Sequence, residues 1–178
     1  GKTFGSTGAY FDGTGDYVTA ITVPNIWASN WAFECFFQLT ATTAQQTIFS
    51  MEGGGKLSFS WNISSSGKLA LWADANGSGW DVNGATPQGT KTDFAQNTWY
   101  HLLFTKDGSN LKWYIDGSST ADGSTSTVVL GSGTNTLRLG AWHDGSQDYY
   151  NGYIDIVRLY AGTITPGSSA EPTSLYGA

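Results

Sequence analysis

The residues that could carry hydrolytic chemistry are few and lie far apart in this sequence. The only glutamates are Glu34, Glu52 and Glu171, and no neighbouring aspartate completes a pair with any of them. Glycoside hydrolysis requires two carboxyl groups about 5–9.5 Å apart across the scissile bond. His101 and His143 are forty-two residues apart and no serine-elbow motif accompanies them. We therefore predict that the chain is not an enzyme and that His101 is structural.

Two polar segments that contain aromatic residues favour sugar binding instead. Residues 78–84 place Trp80 among small polar residues, and residues 141–150 combine three rings, two carboxylates and an imidazole. Exposed rings stack on the C–H faces of sugars, while nearby amides and carboxylates orient the hydroxyls. The candidate carbohydrate-binding residues are Trp80, Asp81, Asn83, Trp142, His143, Asp144, Tyr149 and Tyr150. Alternatively, these rings cap the ends of the core or contact a neighbouring subunit.

Composition excludes several classes of partner. The formal net charge is -6, with a pI near 4.5 and no cluster of Lys or Arg, so nucleic acid is not an expected ligand. No apolar run approaches the ~20 residues of a membrane helix, so we predict no membrane insertion. The N-terminus lacks a signal-peptide core, which is typical of a mature protein or an excised domain.

Cys35 is the only cysteine, which excludes a disulfide, and its apolar neighbours predict a buried thiol.

The elements that must position these residues are short β-strands. Asp-Gly occurs five times and Asn-Gly three times, and both dipeptides adopt the positive φ that tight hairpin turns require. No window sustains helical apolar spacing beyond two turns. The predicted strands are residues 9–11, 17–23, 31–39, 47–51, 56–63, 68–73, 98–106, 111–115, 126–129, 137–140 and 153–160. The fold class is therefore all-β.

The pattern of faces predicts how these strands pack. Leu57, Phe59 and Trp61 alternate with small polar residues, which predicts that the second face of this strand is exposed to water. Residues 32–39 are apolar on both faces, as in a central strand that is covered on both sides. Two stacked antiparallel sheets explain both patterns. Residues 1–165 form one predicted domain, and the proline-containing residues 166–178 form an exit tail or linker.

Three segments, in this order, resemble a known family. They are Tyr-Phe-Asp-Gly-Thr-Gly-Asp-Tyr-Val over residues 10–18, Trp-Tyr-His at 99–101 followed by Trp-Tyr-Ile-Asp-Gly at 113–117, and Asn-Gly-Tyr-Ile-Asp-Ile-Val-Arg-Leu-Tyr over 151–160. Together they are similar to concanavalin A-like, laminin G-like jelly-roll domains. The resemblance implies a curved sandwich of two antiparallel sheets with roughly twelve to fourteen strands.

The same resemblance implies a function, because such domains mostly bind glycans or proteins. Catalytic relatives use a Glu-x-Asp-x-x-Glu pattern, which this sequence lacks. Similar domains occur in bacterial secreted proteins and in phage tail or fibre proteins. We therefore expect a non-catalytic carbohydrate-binding or adhesion domain that contacts cell-surface glycans or glycoproteins from an extracellular or virion-surface location. The alternative is a self-associating structural or decoration subunit of a phage tail, fibre or capsid that binds no sugar.

A structural calcium ion is also implied by the resemblance. Asp155 shares a predicted strand face with Val157 and Leu159, so its carboxylate would point toward the core at the rim of the sandwich and require compensation. In related jelly rolls the matching aspartate joins groups of the first strand around one calcium. The matching residues are Asp12, Gly13, Asp16 and Asp155. Alternatively, Asp12 only forms a turn and Asp155 only accepts backbone hydrogen bonds.

Overall fold

The computed structural model describes residues 8–23, 30–53, 55–62, 67–75, 79–84, 88–126, 135–162 and 164–166. Within these residues every regular element is a β-strand and there is no helix, as predicted for an all-β chain. The strands are β1 Ala9–Asp12, β2 Val18–Val23, β3 Trp31–Leu39, β4 Gln46–Glu52, β5 Lys56–Asn62, β6 Lys68–Asp74, β7 Trp99–Asp107, β8 Asn110–Ile115, β9 Gly123–Ser126, β10 Asn135–Leu139 and β11 Asn151–Ala161. They overlap the predicted strands closely except at β9, which begins earlier than the predicted strand 126–129; residues 127–129 of that prediction lie outside the described residues.

The strands of the described residues form two antiparallel sheets that stack as a sandwich. One sheet has six strands in the order β1-β11-β3-β7-β8-β9, and the other has five in the order β2-β10-β4-β5-β6. Strand β1 pairs with β11, so the first and last described strands lie side by side at one edge of the six-stranded sheet. The predicted two-sheet jelly-roll architecture is confirmed.

Aromatic residues fill the space between the sheets. Phe33 of β3 stacks on Phe49 of β4 with ring centroids 4.0 Å apart, and Phe104 of β7 packs edge-on against Phe59 of β5 at 5.1 Å. Cys35 is buried among them, which confirms the prediction of a buried thiol. Such rings dominate core energetics because each one buries about 150–250 Å².

The predicted water-exposed face of β5 is wrong. Ser58 and Ser60 are fully buried, because loop segments cover the outer face of the five-stranded sheet. Ser50 Oγ on the neighbouring strand β4 donates to the carbonyl oxygen of Ala141 at 2.8 Å, and Asn62 Nδ2 donates to the carbonyl oxygen of Gly84. Alternation reports only that one face is apolar, so it cannot distinguish solvent from a covering loop.

The predicted orientation of Asp155 is also wrong. Asp155 lies opposite Phe36 and Arg158 lies opposite Glu34, so β11 has one extra residue between these pairs. Such a β-bulge shifts the inward and outward alternation by one position. Asp155 therefore points to the outer face of the six-stranded sheet, while Val157 packs on the core. Ile156 in the bulge adopts φ = +47°, which a β-branched residue rarely does.

The part of the chain that the structure describes contains no helix of the length and hydropathy that a membrane crossing requires. Of the predicted exit tail, only Pro166 lies within the described residues. The predicted division between a domain over residues 1–165 and a tail over 166–178 therefore stays a prediction.

Candidate functional site

A row of charged residues crosses the outer face of the five-stranded sheet near one end. Glu52 at the end of β4 lies opposite Lys56 of β5, which lies opposite Asp74 at the end of β6. Residues directly opposite one another in antiparallel strands point to the same face. Arg138 Nη1 on β10 donates to Glu52 Oε2 at 3.1 Å, and Lys56 Nζ lies 3.5 Å from Asp74 Oδ2. Cations and carboxylates therefore alternate across four neighbouring strands.

Three indole rings pack edge to face beside this row. Trp72 of β6 and Trp142 are nearly buried and have ring centroids 5.3 Å apart, while Trp80 packs edge-on against Trp142 at 5.5 Å. Trp80 is only partly buried, so its ring is the one of the three that faces the solvent. Lys56 Nζ lies 4.6 Å from the centroid of the Trp80 ring, within reach of cation–π attraction. We define the Trp80 surface as Glu52, Lys56, Trp80, Trp142 and His143.

Residues 141–150 fold into a compact turn that positions Trp142 and His143. The backbone N–H of Trp142 donates to the carbonyl oxygen of Gln147 at 3.0 Å, and that of Gly145 donates to the carbonyl oxygen of Trp142 at 2.8 Å. Gly145 adopts φ = +77°, as its Asp-Gly dipeptide predicts. Arg138 Nη1 also donates to the carbonyl oxygen of His143, which ties the turn to β10.

Two carboxylates fix the backbone on either side of Trp80. Asp74 Oδ2 accepts a hydrogen bond from the backbone N–H of Gly79 at 2.8 Å. Asp81 Oδ2 accepts one from the backbone N–H of Ala75, also at 2.8 Å. These bonds hold the Trp80 backbone in place before any ligand binds, so less conformational entropy is lost on binding.

The electrostatics of this turn keep the imidazole neutral and the adjacent carboxylate charged. Burial lowers the pKa of His143, and the nearby carboxylate of Glu52 only partly opposes this effect. At neutral pH the His143 ring therefore offers one donor and one acceptor. Hydrogen bonds from Ser146 lower the pKa of Asp144, which stays ionised.

The structure brings together three of the predicted sugar-binding residues. Trp80, Trp142 and His143 form one cluster, with the His143 ring centroid 5.7 Å from each indole. The remaining polar candidates are exposed beside these rings in sequence: Asp81, Asn83 and Asp144. The exposed fraction of Trp142 is only 7%, so its ring packs against the inner side of Trp80 and leaves little surface for a sugar to contact.

The two tyrosines of the second segment differ in their surroundings. Tyr149 stacks on Tyr17 at 6.4 Å and its hydroxyl donates to the carbonyl oxygen of Gly145 at 3.0 Å. Tyr150 is fully buried and packs edge-on against Phe11 in the core. The prediction that Tyr150 contacts a sugar is therefore corrected, because its ring caps the core as in the alternative stated for these residues.

Several residues of this region were missed by sequence reasoning. Glu52 and Lys56 flank three glycines, and a hairpin there places the two side chains opposite each other. The spacing of Glu52 and Lys56 around the three glycines is the sequence feature from which this pairing could have been predicted. Arg138 and Trp72 gave no comparable signal, because Arg138 is placed by the pairing of β10 with the distant strand β4, and Trp72 joins the cluster through its contact with the distant Trp142.

The predicted calcium residues do not converge on one point. Asp12 lies opposite Asn151, and its Oδ1 accepts a hydrogen bond from the backbone N–H of Thr14 in a turn. Asp155 lies four residues further along β11, about 13 Å away at ~3.3 Å per residue. Gly13 and Asp16 lie in the turn after Asp12. Among the described residues no group of three His, Cys, Asp or Glu could hold a metal, and the calcium ion stays a prediction.

A second polar cluster is buried on the outer face of the six-stranded sheet. Glu34 Oε1 accepts from His101 Nε2 at 2.8 Å, and Glu34 Oε2 accepts from Tyr160 Oη at 2.8 Å and from Arg158 Nη1 at 3.1 Å. Burial alone would raise the pKa of Glu34, but these hydrogen bonds outweigh it and lower the pKa from 4.5 to about 2. His101 is buried within this cluster, which confirms the structural role predicted for it.

Known proteins share this architecture. Residues 12–168 match the model of a family described as the concanavalin A-like lectin/glucanases superfamily. A heptameric SAP-like pentraxin from Limulus polyphemus is similar in structure, with 18% identity and a TM-score of 0.67 over 93% of this chain and 80% of that chain. None of the curated proteins matches the sequence.

Two further solved structures are similar. Domain 4 of an extracellular GH43 arabinanase from Geobacillus stearothermophilus, in complex with arabinotriose, is 23% identical, with a TM-score of 0.62 over 91% of this chain and 79% of that chain. Domains LG4-5 of the mouse laminin alpha1 chain are 14% identical, with a TM-score of 0.62 over 89% of this chain and 44% of that chain. At these identities the similarity shows a common fold.

Proposed function

The chain belongs to the concanavalin A-like lectin/glucanases superfamily, and from this premise we propose that it is a non-catalytic carbohydrate-binding domain whose site is the Trp80 surface. The observation that carries this proposal is a partly exposed indole, rigidly held, beside side chains that donate and accept hydrogen bonds. The arabinotriose complex of a similar domain supports a role in sugar binding.

The composition of the Trp80 surface favours neutral sugars. The positive charges of Lys56 and Arg138 are already balanced by Asp74 and Glu52. The adjoining segments add only carboxylates, such as Asp144, so the local potential repels anionic sugars. A neutral sugar would stack its C–H face on Trp80 and exchange hydrogen bonds with the neutral imidazole and the flanking charged groups.

The carboxylates support a binding role over hydrolysis. Both oxygens of Glu34 already accept hydrogen bonds, and its exposed fraction is only 1%. Glu52 is partly exposed and is paired with Arg138. A glycosidase needs one carboxylic acid with a raised pKa and a second carboxylate nearby. The pKa of Glu34 is lowered to about 2, and although burial raises the pKa of Asp148, its Oδ2 already accepts a hydrogen bond from Gln45 Nε2 at 2.6 Å.

A glycan array compared between Trp80→Ala and a control variant tests the proposal. Trp80→Ala should weaken the strongest neutral-glycan signal about tenfold, because an aromatic contact contributes about 0.5–1.5 kcal/mol beyond the area it buries. The control is Lys112→Ala, which removes an exposed side chain of β8 from the outer face of the opposite sheet, outside any proposed binding residue, and should leave that signal unchanged. No neutral-glycan signal from the unmodified protein, or equal weakening in both variants, would reject the Trp80 surface as the site.

A structural role in an assembly through self-association is the second candidate. The heptameric state of the similar pentraxin supports this second candidate. We propose an extracellular or virion-surface location for either role, since one similar domain comes from an extracellular enzyme. Light scattering separates the two roles. A defined oligomer that Trp80→Ala dissociates, with no sugar bound, would favour assembly.

A further inference from the structure

A row of side chains crosses the outer face of the six-stranded sheet, on the opposite side of the sandwich from the Trp80 surface. Tyr10 of β1 lies opposite Tyr153 of β11, Tyr153 lies opposite Gln38 of β3, and Gln38 lies opposite Trp99 of β7. Because directly opposite residues share a face, all four side chains point outward in one line. We define Tyr10, Tyr153, Gln38 and Trp99 as the tyrosine strip.

The rings of the tyrosine strip form a continuous and partly exposed surface. Tyr10 and Tyr153 have ring centroids 4.9 Å apart, and Tyr153 and Trp99 have centroids 6.3 Å apart. Tyr10 is 55% exposed, the largest value among the exposed large hydrophobic residues of the described chain. A Cβ on Gly8 would lie 3.2 Å from Trp99 Cη2, so the indole rests against the glycine backbone and is held in position.

We propose that the tyrosine strip is a second binding site, which holds an extended neutral polysaccharide chain. Four strands about 4.8 Å apart give the strip a length of about 14 Å, enough to contact several consecutive sugar units. A ring–ring–amide–ring sequence supplies alternating surfaces for C–H stacking and for hydroxyl hydrogen bonds. Asp155, the next outward residue on β11, disfavours an anionic polymer.

The geometry of the rings and the size of the strip favour a single polysaccharide chain over a crystalline polymer surface and over a protein partner. The interplanar angles are 45° between Tyr10 and Tyr153 and 51° between Tyr153 and Trp99. Rings tilted in this way fit a single twisted chain and not the flat face of a crystalline polymer. One row of partly buried rings also falls short of the ~800 Å² per partner that a stable protein interface buries.

Affinity electrophoresis through gels that contain soluble arabinan, xylan, mixed-linkage β-glucan or glucomannan tests the proposal. The measurement uses the full chain in a Trp80→Ala background, which removes the contribution of the Trp80 surface. At least one polymer should retard this variant. Adding Tyr10→Ala should raise the apparent dissociation constant about tenfold, whereas Tyr10→Phe, which keeps the ring, should change it less than about threefold.

Three outcomes would overturn the proposal. The first is that no polymer in the panel retards the Trp80→Ala variant. The second is that Tyr10→Ala and Tyr153→Ala leave the retardation unchanged. The third is that light scattering shows an oligomer that Tyr10→Ala dissociates, because the strip would then contact a second copy of the chain. The loss of array signal in Trp80→Ala reports the Trp80 surface, and the Tyr10 and Tyr153 substitutions in the Trp80→Ala background report the strip, so either site can fail without the other.

Discussion

Replacement of Glu34 by glutamine tests the buried network on the six-stranded sheet. Glu34 is charged and buried, and it is held by His101, Arg158 and Tyr160. Glutamine has nearly the same shape but no charge, so it leaves the Arg158 guanidinium without its carboxylate. Loss of the carboxylate is destabilising because buried His101 and the partly buried Arg158 then lose a charged hydrogen-bond partner.

The magnitude follows from the pKa of Glu34, which falls from 4.5 to about 2 in the folded protein. A difference of about 2.5 at ~1.36 kcal/mol per pKa unit makes the ionised carboxylate worth about 3 kcal/mol at pH 7. A lowered folded-state pKa stabilises above the unfolded value of 4.5, and this stability is lost as the pH falls toward 2. By pH 3 about 2 kcal/mol of the contribution should be gone.

Urea denaturation of the unmodified protein and of Glu34→Gln between pH 7 and pH 3 measures this contribution. We expect a difference in free energy of unfolding of about 3 kcal/mol at pH 7 that narrows by about 2 kcal/mol at pH 3. Glu52→Gln is the matched control, because its partly exposed pair with Arg138 should contribute less than about 1 kcal/mol. A difference that is small at pH 7, or that does not change with pH, would refute the assigned role of Glu34.

Two further substitutions test how the sandwich is held together. Asp122→Ala should lower the free energy of unfolding by about 3 kcal/mol in chemical denaturation, because buried Asp122 accepts hydrogen bonds from Trp113 Nε1 and from Thr90; a loss below about 1 kcal/mol would contradict this. Gly152→Ala should lower the free energy of unfolding by about 3 kcal/mol or more, because Gly152 adopts φ = +154° and a Cβ there would lie 1.9 Å from the carbonyl oxygen of Gln38. A thermal midpoint within about 2 °C of that of the unmodified protein would contradict this second expectation.

Turn chemistry made most of the fold predictable from the sequence. Gly108 adopts φ = +58° between β7 and β8, where Asp107-Gly108 predicted a hairpin. Asp-Gly and Asn-Gly specify such turns locally, so no distant contact is needed to recognise them. Packing of the strands followed from the apolar runs, as at β3, where both faces are buried.

The errors arose where distant segments determine a residue's surroundings. The small polar residues on the outer face of β4 and β5 meet segments from later in the chain, as Ser50 does at Ala141 and Asn62 does at Gly84. The bulge after Asp155 inverts the face on which that carboxylate lies, and the strand pattern alone does not reveal a bulge. Tyr150 and Trp142 belong to one aromatic-rich segment, yet only the tertiary structure buries the first in the core and places the second beneath Trp80.

The most direct test of sugar binding at the Trp80 surface is a titration followed by the indole N–H signals in NMR spectra. The probe is the neutral oligosaccharide that gives the strongest signal on the glycan array. We expect the Trp80 signal to shift with saturation, while those of Trp31 and Trp113, which are fully buried, stay unchanged. Saturable binding in which the Trp80 signal does not move would contradict the proposed site.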